Sequence, residues 1–204
     1  GIELCELYGY EFENLYEKIE NDPNIKLKKV LSAKELFKSI MKTQLETGMP
    51  YIFFKDRANE VNHNSHMGMI GNGNLCMESF SNFKPTINFV EEEDGNTSIR
   101  KSEMGEIHTC NLISINLAEL TSEELEKYIA LAVRALDNTI DLTVTPLKES
   151  NKHNLLYRTI GVGAMGLADY LAREYMIYEE SINEINELFE RIALYSIKAS
   201  ALLA

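Results

Sequence analysis

Asn74-Leu75-Cys76-Met77-Glu78 and, with its thiol 34 residues further on, Thr109-Cys110-Asn111-Leu112-Ile113-Ser114-Ile115-Asn116-Leu117 are the two stretches on which the reading of this chain turns. The second is rich in aliphatic and β-branched residues and reads as a strand. The first sets an amide, a thiol and a carboxylate at alternate positions. Alternate residues of an extended strand share a face, so a strand from Asn74 to Phe80 would bring Asn74, Cys76 and Glu78 together, with Leu75 and Met77 packing behind.

Spacing alone leaves two readings open. One is a strand with a buried cysteine, since free cysteines usually behave as small hydrophobes. The other is a chemical site, with Glu78 as base or acid and Cys76 as nucleophile, metal ligand or radical carrier. A carboxylate beside a thiol disfavours the thiolate, which argues against an ordinary thiolate nucleophile. A thiol kept protonated suits hydrogen-atom chemistry better.

Helical signals lie on either side. Tyr10 to Ile19 reads as a helix that Asn21-Asp22-Pro23-Asn24 breaks. Ser32-Ala33-Lys34-Glu35 is a capping box, followed by Leu36, Phe37, Ile40, Met41 and Leu45 at helical spacing, with Gly48 as the stop and Pro50 beyond. Thr121-Ser122-Glu123-Glu124 is a second capping box, opening a helix with Leu125, Ile129, Ala132, Val133, Leu136 and Ile140 on one stripe. A last helix is expected over residues 182–203, with no stop signal, which suggests a piece of something longer. Tyr51-Ile52-Phe53-Phe54 reads as a buried strand, and residues 90–106, including Asp94-Gly95-Asn96, as an exposed loop or hairpin tip. Strands separated by helices make the fold class α/β.

The composition narrows the function classes. Of 204 residues, 45% are hydrophobic and 25% charged, as in a soluble globular protein. No apolar run approaches a membrane span, and no N-terminal stretch shows the basic, apolar and small-residue order of a signal peptide, so the cytoplasm is the expected default compartment. The net charge of -12 argues against nucleic acid and anionic membranes as partners. Three cysteines do not make a secreted disulfide scaffold.

Other motifs weigh less. His63-x-x-His66 with Cys76 and Cys110 lacks a zinc-site spacing, and no metal site is assigned. Gly161-Val162-Gly163-Ala164-Met165-Gly166 matches the dinucleotide fingerprint literally, yet no strand ending in Asp or Glu follows about 20 residues on. Its glycines are read as allowing close packing. Gly68, Gly71 and Gly73 are read as permitting an unusual backbone path into the Asn74 segment.

Taken in order, these segments resemble the large catalytic subunit of class I ribonucleotide reductase. The residues that carry the resemblance are Ala33-Lys34-Glu35-Leu36-Phe37, Thr47-Gly48-Met49-Pro50-Tyr51-Ile52, Asn59-x-x-Asn62-His63, Gly73-Asn74-Leu75-Cys76-Met77-Glu78, Cys110-Asn111-Leu112, Ala132-Val133-Arg134-Ala135-Leu136-Asp137 and Arg158-Thr159-Ile160-Gly161-Val162-Gly163. The resemblance implies that residues 1–204 are the central part of a ten-stranded α/β barrel, incomplete here. Residues 1–50 would be helical, 51–120 active-site strands and loops, and 121–204 mainly helical. It implies that Cys76 carries a thiyl radical, that Glu78 exchanges a proton with the 3′-hydroxyl, and that Asn74 bonds the sugar hydroxyls. The backbone from Asn74 through Leu75, Cys76 and Met77 to Glu78 would line the substrate, and Cys110 would be one thiol of the reducing pair.

The partners it implies are a ribonucleoside diphosphate, the rest of the large subunit in a homodimer, a small subunit with a dimetal-tyrosyl radical, and thioredoxin or glutaredoxin. ATP or dATP effectors would bind outside this segment, and no cofactor would be bound by the chain itself. A class II, cobalamin-dependent reductase shares the Cys/Glu chemistry and is the nearest alternative. An inert assembly segment and an unrelated thiol or zinc protein are the others. The second reducing thiol, the phosphate-holding segment and the radical-relay tyrosines are not found in this sequence, so a split or truncated subunit is expected. The chain alone is accordingly expected to give no deoxynucleotide from nucleoside diphosphates and dithiol; measurable turnover would overturn that expectation.

Overall fold

In the computed structural model, which describes residues 4–93 and 98–204, the chain divides into two compact units, one running to Lys84 and one from Pro85 to Ala204. Asp94-Gly95-Asn96 lie outside the described residues.

The first unit is built from helices α1 (Gly9–Asn21), α2 (Ala33–Thr47) and the short α3 (Lys55–Glu60). Half of the capping box forms: the Ser32 hydroxyl accepts from the Glu35 N–H at 3.4 Å, while the Glu35 carboxylate pairs with Lys38, and α2 ends at Gly48 in the left-handed conformation. The apolar stripe of α2 is not covered within this unit, for Leu36, Phe37 and Leu45 are exposed. Two strand expectations fail here. Tyr51 to Phe54 forms no strand, and Tyr51, Ile52 and Phe54 are exposed. Residues 75–78 form a turn, leaving only an isolated antiparallel bridge between Gly73 and Phe80. The reason is common to both: a β-forming run needs a paired neighbour, and no such strand lies beside them among the described residues of the unit.

Amides do the holding instead. The buried Asn59 side chain donates to Lys55 O and Ile70 O, both at 2.9 Å, and accepts from Ile70 N at 2.8 Å. Asn62 donates to Gly68 O and to Asn82 Oδ1, each at 3.1 Å, and the buried Asn82 donates to Asn64 O at 2.8 Å. An asparagine side chain offers two donors and one acceptor, so each closes a loop as a short strand would.

The second unit opens with an antiparallel hairpin, β1 (Ile87–Glu93) and β2 (Ser98–Glu103), bulged between Val90 and Glu92. Its core follows the expected α/β logic. Strand β3 (Leu112–Asn116) pairs in parallel with β4 (Gly161–Met165), and the crossover between them carries α4 (Leu125–Leu142) and α5 (Lys148–Tyr157). After β4 come α6 (Leu167–Arg173) and α7 (Ile182–Leu203). All six stripe residues of α4 are buried. Leu125, Ile129, Ala132 and Val133 pack with Ile115 and Leu117 from the β3 end and with Leu188, Ile192 and Ala199 of α7. The second capping box forms in part. Glu124 accepts from Thr121 N and Oγ1, which holds its carboxyl below the usual range, while the helix itself starts at Leu125.

The fingerprint glycines have a structural explanation. Gly161 and Gly163 lie within β4 itself, not in a turn after a strand. Gly166 precedes α6 with φ +73°, where a Cβ would stand 2.4 Å from Asn116 Oδ1, the acceptor that caps Ala118 N–H at 3.2 Å. Arg158, left-handed at the end of α5, ties that helix to α4 through Asp137 (2.7 Å) and Asp141 (2.8 Å), and its hydrogen bond holds the Asp141 carboxyl below its ordinary range.

Ile129→Ala should lower stability by about 2–5 kcal/mol through lost burial and a residual cavity, read as a drop in the urea midpoint, while Val144→Ser at an exposed position should stay within about 0.5 kcal/mol. Measured the same way, Gly166→Ala should cost more than the roughly 1–2 kcal/mol of its left-handed backbone, since the added Cβ would also meet Asn116 Oδ1.

Candidate active site

The Asn74 to Glu78 segment converges by a different geometry from the one its spacing suggests. Asn74 N–H donates to Ser79 O and Met77 N–H to Asn74 O, both at 3.2 Å, so the chain doubles back within six residues. Asn74 Oδ1 accepts from the backbone N–H groups of Glu78 (3.1 Å) and Ser79 (3.0 Å), while Asn74 Nδ2 donates to Glu78 Oε1 at 2.5 Å. Asn74 thus closes the neck of the loop and grips the carboxylate. Cys76 stands at the apex as an exposed thiol. Leu75 does not pack behind it, being 84% exposed, because in a turn the two-residue alternation of a strand is lost.

Aromatic rings support the loop. Phe80 stacks on Phe53 with centroids 5.2 Å apart. Gly73 lies so close under this pair that a Cβ there would come within 2.6 Å of the Phe80 ring and 2.9 Å of Met77 Sδ. Met77 itself has φ 60°, a left-handed conformation that is uncommon outside glycine and asparagine. The tight return uses this conformation at Met77 together with the close approach at Gly73 and the Asn74 bonds.

Cys110 belongs to the second unit and is also exposed. It precedes β3, and both of its neighbours are tied inward. Thr109 Oγ1 donates to Asn154 Oδ1, and Asn111 Nδ2 donates to the same oxygen at 3.3 Å and to Thr159 O at 3.1 Å. Gly161 N–H donates to Asn111 O at 2.9 Å, adding a rung ahead of the parallel ladder. Below Asn154 lies a buried polar layer. Glu106 pairs with Lys152 at 3.1 Å and accepts from Tyr157 Oη at 3.1 Å, and the fully buried His153 ring packs against Tyr157 and His108.

Cys5 is exposed in a 3-10 turn, and its carbonyl accepts from Lys55 Nζ at 2.6 Å. Among the described residues no three His, Cys, Asp or Glu side chains are grouped to hold a metal ion. The supporting residues Asn59, Asn62, Asn82 and Asn154 escaped the sequence reading as a network. The available signal was the asparagines themselves, because an amide within a helix, as at Asn59 and Asn154, is there at some cost to propensity.

The family model for the ribonucleotide reductase barrel domain matches residues 2–204. The chain is 47% identical over 206 residues to the ribonucleoside-diphosphate reductase subunit alpha of Synechocystis sp., covering 100% of the chain and 24% of that protein. It is 36% identical over 242 residues to the subunit alpha of Helicobacter pylori strain 26695, covering 99% of the chain and 31% of that protein. Against the ribonucleoside-diphosphate reductase large chain of Neurospora crassa the identity is 32% over 211 residues, with 98% and 20% covered. The chain therefore spans less than a third of the length of these relatives. With the Asn74–Glu78 loop and the Cys110 segment both inside the matched range, the chain belongs to the ribonucleotide reductase family, within its barrel domain.

Proposed function

We propose that the chain forms part of the ten-stranded α/β barrel of a ribonucleoside-diphosphate reductase large subunit and holds the central chemical groups of its active site. The β3–α4–α5–β4 crossover supports the barrel, since parallel strands joined through helices are its repeating unit. The observation that carries the site is the Asn74 clamp, which fixes a carboxylate beside an exposed thiol at a loop apex.

In this reading the Cys76 sulfur, as a thiyl radical, takes the 3′ hydrogen atom of the ribonucleotide. The Glu78 carboxylate receives the 3′-hydroxyl proton while the 2′-hydroxyl leaves as water. The two electrons and two protons required come from a dithiol, Cys110 and a second thiol elsewhere in the large subunit, which closes to a disulfide. Cys76 returns the hydrogen atom to the 3′ carbon, so the net change is ribonucleotide plus dithiol to deoxyribonucleotide plus disulfide plus water. Asn74 orients Glu78 and the sugar hydroxyls, and the backbone of Leu75, Cys76 and Met77 lines the substrate. A small partner subunit with a dimetal-tyrosyl radical would serve as the one-electron oxidant, taking an electron and a proton from the Cys76 thiol to leave the thiyl and returning them after turnover, since radical chemistry of this kind is a cofactor's contribution. Thioredoxin or glutaredoxin re-reduces the disulfide by thiol exchange. The large subunit works as a cytoplasmic homodimer, and ATP or dATP effectors bind outside this segment.

In the complete large subunit assembled with its radical-generating partner, Cys76→Ser should abolish deoxynucleotide formation and leave substrate binding and subunit assembly intact. Near-normal turnover would reject the radical role. Glu78→Gln keeps an acceptor for Asn74 Nδ2 but cannot take a proton, so kcat should fall by about 10²–10⁴ with little change in KM, as seen in steady-state assays.

A further inference from the structure

Asn154 sits on the last turns of α5, 44 residues from Cys110, yet its side chain holds both residues that flank that cysteine. It is buried to 2% exposure. One carbonyl oxygen has two acceptor directions, and at Asn154 one is met by the Thr109 hydroxyl and the other by the Asn111 amide. With residues 109 and 111 drawn inward on a buried oxygen, the residue between them stands outward, and Cys110 is exposed while Thr109 and Asn111 are partly buried. The clamp is anchored on both sides. Asn111 also bonds Thr159 O and Gly161 N–H, fixing it to the start of β4, and Arg158 locks the end of α5 to Asp137 and Asp141.

We propose that Asn154, acting through Thr109 and Asn111, is a positioning residue that sets the direction of the Cys110 thiol for its dithiol–disulfide cycle. This rests on the assignment of Cys110 as a reducing thiol. Disulfide formation needs one sulfur aligned on the other at bonding geometry, and a segment tied at a single flank would let the thiol swing. The bonds at residues 109 and 111 limit that freedom without any atom of Asn154 meeting substrate or sulfur.

The test uses the complete large subunit with its radical-generating partner, a nucleoside diphosphate and thioredoxin. Thr109→Val is nearly isosteric and removes only the hydroxyl donor, and Asn154→Ala removes the shared acceptor. Both should lower kcat by about tenfold or more, as misplacement of a reacting group does, with the substrate KM unchanged. Both should also shift the rate at which a neutral maleimide labels Cys110, followed by peptide mass spectrometry, while labelling of Cys76 stays constant. Thr109→Ser, which restores the donor, should recover most of the turnover lost in Thr109→Val. Should Asn154→Ala not fold, the Val and Ser pair at position 109 decides alone. If Cys110→Ser abolishes turnover while Thr109→Val works at the wild-type rate with unchanged labelling, the positioning role falls and the assignment of Cys110 stands. If Cys110→Ser turns over normally, the assignment fails and takes the positioning role with it.

Discussion

The parallel ladder between β3 and β4 is the interaction on which the second unit is arranged. Two adjacent parallel strands cannot be joined by a tight turn, so 44 residues lie between Asn116 and Gly161, and α4 and α5 occupy them. Once β3 and β4 are paired, α4 has one place to bury its stripe, and α7 covers the same core from the other side. The ladder also fixes what lies at its start. Cys110 is two residues ahead of β3, and Asn111, through Gly161 N–H, already belongs to the pairing. A side chain placed just outside a rigid ladder keeps its register without being enclosed by it.

The first unit solves the same problem without a ladder. Its buried residues are largely polar: Asn59, Ser81 and Asn82 are buried along with Ile70. Buried amides tolerate few arrangements because each unmet donor or acceptor costs on the order of 1–3 kcal/mol, so a network of them specifies a loop path more narrowly than an apolar cluster of similar size. The Cys76 loop hangs from this network and from the Phe53–Phe80 stack. The Asn74 side chain repeats the device on a smaller scale, replacing a strand pair with three hydrogen bonds of its own.

Helices α1, α2, α4 and α7 were legible because their signals are local, whereas the shorter α3, α5 and α6 were not read from the sequence. The Ser32 cap and the Gly48 stop each lie within one turn, the stripe of α4 repeats at steps of about one turn, and each has its expected place. Strand β3 was legible for the same reason. The Tyr51 to Phe54 run and the Asn74 to Phe80 segment were not, since a strand is completed by a partner that its own residues do not name. Alternation at Asn74, Cys76 and Glu78 presumed a strand that does not form, since residues 75–78 turn instead. Asn74 and Glu78 meet because Asn74 caps a turn, a role that asparagine fills readily through its short amide, and Cys76 lies between them in the loop. Asn154 was hidden altogether, because the pairing of an α5 amide with Thr109 and Asn111 depends on the crossover and not on any neighbouring residue.

The helix α7 has apolar residues on more than the side that meets α4. Phe189, Leu194, Ile197 and Leu202 are exposed, and with Ile160 and Val162 several of its residues line an open groove of about 610 Å³. Such a surface sets the colloidal behaviour of the chain in dilute solution. At low ionic strength the net charge of -12 keeps copies apart. As salt shortens the reach of that repulsion to about 8 Å at physiological strength, the greasy side of α7 becomes the term that governs whether molecules stick to one another, so buffer composition and not intrinsic fold stability would limit how concentrated the protein can be held.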